Sequence, residues 1–384
     1  MCFSRRSRPD RRRPPVPLHD VGYRGWQGAR LGPWSAAAAI ATTGIRLAWT
    51  SRWLRRAVFL AWSPALFFAA SFFAFEQAID EGRIESLQER AARGRNLDGI
   101  GLLGTILADT LGRSEQPPSH PALSREAETA ATRRLVWSRL LLAFMRAPQA
   151  VLLAVVVGLV APTLISRDLR AKAWLVYFTR PVGRVHYIAG KLAVLATIVA
   201  AVTVLPALAL WMAGVLVSPS VWVIAETWDL PLKVIAASIA LAIPTVLLAL
   251  AYSSLTAESR IASFAWFATW AACWIAHSSL VTADLAAATA PQAAAVADAA
   301  DIDDDEWRPP PQRINWLARA AGLDTTIDRW SWVSPYHAIG VIQAWIFGVE
   351  TRPQAVVPPA IALISVSVAA ALVLAWRVAA PMRA

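Results

Sequence analysis

The chain has 384 residues, of which 57% are hydrophobic and only 16% are charged, and its formal net charge is +11. Charged residues make up about a quarter of a typical soluble domain, so this chain has too little charge to cover a soluble globule of its size. A soluble globular class is therefore excluded. Whether the positive charge indicates binding to nucleic acid or orientation in a membrane depends on where it lies in the chain.

The apolar residues are concentrated in six segments, 19–26 residues long, that contain no Asp, Glu, Lys or Arg. About 20 helical residues, rising ~1.5 Å each, cross a hydrocarbon core of about 30 Å. The segments are rich in Ala, Leu and Val and do not alternate with period two, which favours helices over barrel strands. The six predicted spans are residues 57–75, 147–166, 192–217, 234–255, 261–283 and 356–376. The sequence predicts an all-α membrane protein with six transmembrane helices.

The charges predict an orientation for these spans. If the N-terminus is cytoplasmic and the spans alternate, the inner segments hold 21 Lys and Arg against four acidic residues, a net charge of +17. The outer segments then carry a net charge of −6. An excess of basic residues on the cytoplasmic side is the usual pattern in membrane proteins. We therefore expect both termini to be cytoplasmic and the outer loops to be residues 77–146 and 284–355.

The N-terminal region is basic and precedes the first span. An Arg-rich cluster in residues 5–13 is compatible with a nucleic-acid-binding arm or with a solvated tail near anionic headgroups, and the six spans favour the tail. We expect residues 1–33 to be a disordered cytoplasmic tail without a nucleic-acid partner. Residues 34–56 mix Trp and Leu with Arg, which predicts a helix lying on the inner leaflet.

The sequence lacks the common catalytic motifs. There is no G-x-x-x-x-G-K-[ST] phosphate-binding loop, no G-x-S-x-G and no H-E-x-x-H. Cys2 and Cys273 have no metal-ligand spacing, and the acidic cluster at residues 301–306 lacks the Gly of a calcium loop. We predict no catalytic residue, metal or cofactor on this chain. The scarcity of ionisable groups inside the spans also argues against ion-driven transport by this chain alone.

Three features inside the spans suggest local roles. Prolines in four of them each remove a backbone donor and are expected to bend the helix. A stripe of three Trp on the fifth span, four residues apart, indicates helix packing, a lipid-facing surface or a substrate-facing wall. His277, near the outer end of the same span, fits a helix-packing hydrogen bond or a pH sensor. The prolines and tryptophans are Pro64, Pro162, Pro206, Pro244, Trp266, Trp270 and Trp274.

The most specific segment is the short inner loop at residues 165–191. Its first half can continue the second span as a helix with polar and apolar faces, and Pro181 must stop or kink that helix. Lys191 marks the start of the third span. A partner protein could bind such a short, bent element. The alternative is a basic loop that only connects two spans.

This loop reads I-S-R-D-x-x-x-K-A-x-x-x-Y-F-x-R-P-V-x-R-x-x-Y-x-x-G-K and resembles the cytoplasmic loop of ABC-2 type ABC transporter permeases. The closest resemblance is to the bacterial branch described as involved in multi-copper enzyme maturation. The matching residues are Ile165, Arg167, Asp168, Lys172, Ala173, Tyr177, Phe178, Arg180, Pro181, Arg184, Tyr187, Gly190 and Lys191. The resemblance implies six spans, an N-terminal interfacial helix and a cytoplasmic coupling helix within residues 167–180. The Arg-rich N-terminus and the long 284–355 loop depart from the family pattern.

The resemblance also implies partners. A separate ABC ATPase subunit, which carries the ATP and Mg, would bind the inner face of a bacterial cytoplasmic membrane protein, and a second permease chain, identical or related, would complete an exporter. Basic side chains of the loop would make charge-assisted contacts to the ATPase. The expected ATPase-coupling residues are Arg167, Asp168, Arg170, Lys172, Arg180, Pro181, Arg184 and Lys191.

Two other functions remain open at this stage. Ser166, Asp168 and His186 share one loop and could belong to a membrane-embedded enzyme acting on lipid-linked substrates, although their spacing matches no known arrangement. A membrane anchor or assembly factor that recruits an ATPase without transport is the second alternative. Residues 334–348, semi-apolar and outside the spans, predict a surface or re-entrant helix.

Overall fold

The computed structural model describes residues 32–82, 125–146, 148–173, 183–299 and 329–379, and these ranges contain helices and no strand. The predicted tail up to residue 31, residues 174–182 of the inner loop and the acidic cluster at 301–306 lie outside the described residues. The helices are α1 Pro33–Trp49, α2 Arg52–Asp80, α3 Arg125–Arg146, α4 Pro148–Arg170, α5 Arg184–Val217, α6 Val223–Glu226, α7 Asp229–Leu255, α8 Ser259–Ala299, α9 Pro335–Ile346 and α10 Pro353–Ala379, with a 3-10 turn at Ser331–Val333.

Five helices are long and apolar enough to cross a membrane, namely α2, α4 from Val151 onwards, α5, α7 and α10. They contain five of the six predicted spans, so an all-helical, multi-pass membrane architecture is confirmed. The predicted fifth span, residues 261–283, lies in the 41-residue α8, which is not among those five. Three Trp, one His and several hydroxyl side chains lower its hydropathy, and the count of six spans stays a prediction.

The candidate spans α2, α4, α5 and α7 alternate in direction, and α10 runs parallel to α7. The start of α2, the end of α4, the start of α5 and the ends of α7 and α10 share one hydrophobic cluster. The other halves of α2, α5 and α7 share a second cluster with α3. The end of the bundle next to the first cluster is called the basic end below, and the opposite one the far end. The basic end carries Arg46, Arg55, Arg167, Arg170, Arg184, Lys191 and Arg377.

The helix predicted at residues 34–56 is present in two parts, because α1 ends at Trp49 and α2 begins at Arg52. The α1 helix packs closely on the start of α5. A Cβ added to Gly190 would lie 2.8 Å from Ile40 Cγ2, and one added to Gly44 would lie 2.6 Å from Val194 Cγ2. The two glycines therefore permit the contact, while the placement of α1 on the inner leaflet stays a prediction.

Pro162 interrupts the hydrogen-bond ladder of α4, and neighbouring helices satisfy the groups that it frees. Proline cannot donate to the carbonyl of Gly158, and Ser263 Oγ of α8 donates to that oxygen at 3.2 Å. The Ser253 hydroxyl of α7 accepts a bond from the Ser166 N–H and donates to the Pro162 carbonyl, both at 3.1 Å. The hydrogen bonds around this proline thus join α4 to α7 and α8.

Gly158 is also the point of closest approach between α4 and α8, so a larger residue there should separate the two helices. A Cβ at Gly158 would lie 2.5 Å from Phe267 Cζ and 2.8 Å from Trp266 Cδ1. We expect Gly158→Val to lower the free energy of unfolding by about 1–3 kcal/mol through overpacking, measured by thermal unfolding in detergent. Ala272→Val, on an exposed part of α8, is the control, and equal losses in both variants would contradict the packing.

Candidate functional site at the basic end

Asp168 at the end of α4 is joined to α5 by a buried ion pair. Lys191 Nζ lies 2.7 Å from Asp168 Oδ2 and donates to the Leu164 carbonyl at 2.8 Å, while Tyr187 Oη donates to Asp168 Oδ2 at 2.8 Å. Tyr187 and Lys191 are four residues apart and therefore share one face of α5. Asp168, Tyr187 and Lys191 are called the Asp168 cluster below.

Burial makes the Asp168 cluster stronger than a surface ion pair. The side chains of Lys191 and Asp168 are only 10% and 17% exposed, and Lys191 Nζ lies 5.5 Å from the centre of the Tyr187 ring. Low solvent access weakens dielectric screening, so separation of the charges is costly. The end of α4 and the start of α5 are consequently held as one unit.

The α4 helix ends in a left-handed turn directly after the cluster. Lys172 has φ 49°, and its N–H bonds to the Leu169 carbonyl at 3.2 Å while the Ala173 N–H bonds to the Asp168 carbonyl at 2.9 Å. This is a Schellman motif, with Lys at the position that usually holds Gly. The helix predicted within 167–180 is therefore interrupted at 171–173, and Arg180 and Pro181 lie outside the described residues.

The left-handed Lys172 gives a test of this turn. A side chain at positive φ costs roughly 1–2 kcal/mol relative to Gly, whereas Gly loses more entropy on folding. We expect Lys172→Gly to leave stability unchanged or to raise it by up to about 1 kcal/mol, and Lys172→Ile to lower it by about 1–2 kcal/mol. Thermal unfolding of the two variants measures the difference, and a Gly variant less stable than the Ile variant would contradict the turn.

The other predicted site residues lie on the surface around this unit. Arg167, Lys172 and Arg184 are exposed. Arg170 lies 2.5 Å from Glu258 in the turn between α7 and α8, but both side chains are more than half exposed, so the pair adds little stability. The predicted residues thus divide into an internal pair, Asp168 and Lys191, and a set of exposed cations.

A second cation fixes the end of α7 at the same surface. Arg377 of α10 donates from Nε to the Ser254 carbonyl at 3.2 Å and from Nη2 to the Leu255 carbonyl at 3.1 Å. The last carbonyls of a helix lack partners within it, and a guanidinium is suited to this position by charge and geometry. The basic end is therefore held together through α4, α5, α7 and α10.

Sequence reasoning missed a buried ionic network at the far end. Glu76 of α2, only 1% exposed, accepts from Arg133 Nε at 3.1 Å and from Trp137 Nε1 at 3.0 Å. Arg133 Nη1 also lies 2.8 Å from Glu226 Oε2, and Arg134 and Lys233 both pair with Asp229 at 2.7 and 2.9 Å. Glu76, Arg133, Trp137 and Glu226 are called the far-end network below.

The last part of the predicted outer loop at residues 77–146 contributes Arg133 and Trp137 to this network. It forms α3, and residues 136–145 of that helix are all buried against α2, α5 and α7. The signal in the sequence was the apolar run at 135–145, which Ser138 and Arg139 alone interrupt. The run is shorter than a membrane span, which is typical of a buried helix that does not cross the membrane.

Comparison with protein families matches residues 44–381 to the family described as ABC-2 family transporter protein. The chain belongs to the ABC-2 transporter family. The match includes α2 to α10, and therefore both the Asp168 cluster and the far-end network. Together with its membrane-spanning helices, this makes the chain a multi-pass membrane protein of the ABC transporter permease class. No curated protein and no solved structure matches the chain.

The residues considered for a lipid-linked enzyme do not form a site in this ABC-2 permease. Ser166 is fully buried and donates to the Ser253 carbonyl at 2.9 Å, while Asp168 belongs to the cluster. The His186 ring meets the edge of Trp34 at 4.8 Å. A nucleophile needs a base within hydrogen-bond reach, and these three side chains have separate neighbours. Within the described ranges, no three His, Cys, Asp or Glu side chains are placed to hold a metal ion.

The ABC-2 permease also brings together side chains of α8 and α9 that are distant in sequence. The rings of His277 and His337 stack at 3.5 Å between centroids, and Trp274 stacks on Tyr336 at 6.2 Å. A helix is present within the predicted segment 334–348, and six residues of this α9 helix are buried. Trp266, the first residue of the Trp stripe, is buried and donates to the Ala154 carbonyl of α4 at 2.8 Å. This residue therefore packs α8 against α4.

Proposed function

We propose that the chain is the transmembrane permease subunit of an ABC exporter and that a separate ATPase subunit binds its basic end. The chain would lie in a bacterial cytoplasmic membrane with α8 as the sixth span and both termini in the cytoplasm. The family match supports the permease class, and the net charge of +17 on one predicted side supports the orientation. The sequence has no phosphate-binding loop, so ATP and Mg would belong to the partner. The narrower multi-copper branch remains part of this proposal.

The Asp168 cluster is the observation on which the coupling proposal rests. Exposed Arg167, Arg170, Lys172 and Arg184 would make charge-assisted contacts with carboxylates of the ATPase, and Arg180 and Pro181 would complete that surface. Because Lys191 and Asp168 join α4 to α5, a displacement of this surface would move both helices. The α5 helix packs on α1, α2, α4 and α7, so its movement would reach most of the bundle.

A second permease chain would complete the transport path. Many apolar side chains on the candidate spans are exposed, among them Phe59, Leu66, Leu216 and Leu372. In a bilayer such faces meet lipid or another membrane helix. We propose that an identical or related chain covers part of this surface.

Charge reversal on the exposed cations tests the ATPase contact. We expect Arg167→Glu combined with Arg184→Glu to reduce ATP hydrolysis by the co-purified complex about tenfold or more, because opposite charges at the interface become like charges. Surface changes of this kind alter stability by only about ±0.5 kcal/mol, so the variant should still be recovered from the membrane with an unchanged melting temperature.

Arg46→Glu combined with Arg55→Glu is the matched control, since both residues are exposed at the basic end but lie outside the loop. This control should retain wild-type ATP hydrolysis. Equal hydrolysis in the two double variants would count against the loop as the contact, and a wild-type chain that purifies with no ATPase would count against the proposed function. A non-transporting anchor would bind the ATPase but show no ATP-dependent substrate movement in sealed vesicles.

A further inference from the structure

At the far end, a pocket of about 290 Å³ lies between the segment at 329–332 and the start of α10, with Arg329, Ser331, Trp332, Arg352 and Gln354 among its lining residues. We propose that this pocket binds the phosphate group of a phosphate-bearing ligand, either a lipid headgroup or a soluble phosphate. The site is independent of the proposed ATPase contact, which lies at the opposite end of the bundle.

Each arginine of the pocket is paired with a carboxylate that is not among the described lining residues. Arg329 Nε and Nη2 donate to Asp284 at 2.8 and 2.6 Å, and Arg352 Nε and Nη2 donate to Glu350 at 3.0 and 3.2 Å. A guanidinium has five N–H donors, so each of these two-point pairs leaves three. Among the described residues, the lining consequently presents two guanidinium groups with free donors and no carboxylate.

The two carboxylates keep the arginines in place over a wide pH range. Hydrogen bonds from Arg329 lower the pKa of Asp284, and those from Arg352 lower the pKa of Glu350. A carboxylate with a lowered pKa remains ionised, and keeps its stabilising contact, until the pH falls below the ordinary carboxylate range. Both carboxylates therefore stay ionised and paired with their arginines at neutral pH, where a phosphate is anionic.

The first turn of α10 also favours an anion in the pocket. This helix has 27 residues and no acidic side chain in its first turn, and Gln354 and Ala355 of that turn line the pocket. Pro353 has no N–H and the Ala355 N–H bonds to the Arg352 carbonyl, so the contribution comes from Gln354 and from the dipole of a long helix.

Ser331 adds a hydroxyl group to the pocket. The residue is only 5% exposed and lines the pocket. A serine hydroxyl can donate a hydrogen bond, so Ser331 is suited to contact a phosphate oxygen between Arg329 and Arg352.

The size and apolar side of the pocket indicate more than a bare ion. A volume of about 290 Å³ corresponds to roughly ten waters at ~30 Å³ each. Trp332 and Pro358 contribute apolar surface, and the pocket adjoins the start of a candidate membrane span. Trp is typical of the boundary between membrane and water, where phospholipid headgroups lie.

Thermal unfolding of the full-length chain in detergent tests the site with three probes. These are short-chain phosphatidylglycerol, the corresponding diacylglycerol without phosphate, and inorganic phosphate. A ligand that binds the folded state raises the melting temperature with concentration. We expect phosphatidylglycerol to do so and diacylglycerol not to. A rise with inorganic phosphate of similar size identifies a soluble phosphate as the source, and its absence identifies the headgroup.

Two variants and a control test whether the rise in melting temperature comes from binding in this pocket. Gln354→Glu is nearly isosteric and places a negative charge where α10 tolerates it well, so the protein should fold while half-saturation moves about tenfold or more higher. Arg329→Gln combined with Arg352→Gln should abolish the response, and Arg134→Gln, an arginine paired at the same end outside the pocket, should retain it.

The proposal is overturned if no phosphate-bearing probe raises the melting temperature, or if diacylglycerol acts as well as phosphatidylglycerol. It is also overturned if Gln354→Glu responds like the wild type. If the double arginine variant does not fold, Gln354→Glu decides the question by itself.

Discussion

Lys191→Met is expected to lower the free energy of unfolding by about 3 kcal/mol or more, because it leaves the Asp168 carboxylate buried without its cation. Lys191 Nζ contacts both Asp168 and the Leu164 carbonyl, so the variant also removes a hydrogen bond at the end of α4. Thermal or denaturant unfolding in detergent measures the loss. In the complex we expect ATP hydrolysis to persist while substrate movement falls, because the link between α4 and α5 is weakened.

Two further variants distinguish the loss of the buried ion pair from a general effect of replacing a lysine. Asp168→Asn combined with Lys191→Met removes both charges and should recover part of the stability. Lys233→Met removes a lysine that pairs with Asp229 four residues away on α7, and should cost under about 1 kcal/mol. The account of the Asp168 cluster fails if Lys191→Met and Lys233→Met are equally mild.

Arg133→Met is expected to cost a similar amount, about 3–5 kcal/mol, at the other end of the molecule. It leaves Glu76, which is 1% exposed, with Trp137 as its one remaining partner, and it frees Glu226 as well. Since the network joins α2, α3 and α6, we expect α3 to become susceptible to proteolysis, which limited digestion followed by mass spectrometry can detect.

Arg134→Met is the adjacent control, since the Arg134 side chain is 50% exposed in its pair with Asp229. It should change stability by less than about 1 kcal/mol. Glu76→Gln added to Arg133→Met should restore part of the loss by removing the buried charge. A loss in Arg134→Met as large as that in Arg133→Met would mean that burial does not determine the strength of these pairs.

The spans could be predicted because their signal is local. A run of some 20 uncharged apolar residues has few alternatives to a membrane helix, and five such runs are found in long apolar helices. The 261–283 segment shows the limit of this reasoning, because the Trp and His that lower its hydropathy also make its contacts. Trp266 bonds to α4 and His277 stacks on His337 of α9, and neither partner is near in sequence.

The candidate site could be predicted only in part. Its residues follow from a loop pattern, but Asp168 and Lys191 are 23 positions apart and meet because the start of α5 lies beside the end of α4. The end of α4 at a left-handed Lys172 could not be predicted either, because that position usually holds Gly. The far-end network was missed for a related reason, since Arg133 appeared in a charged outer loop and its partners lie on α2 and α6.

The most direct test of the central claim is site-specific photocrosslinking in native membranes. A photoreactive residue replaces Arg167 or Arg184 at the basic end, or Glu81 at the end of α2 at the far end, and captured chains are identified by mass spectrometry. The account predicts that an ABC ATPase is captured from positions 167 and 184 and not from position 81. Capture from position 81, or from none of the three positions in a membrane that contains the ATPase, would contradict it.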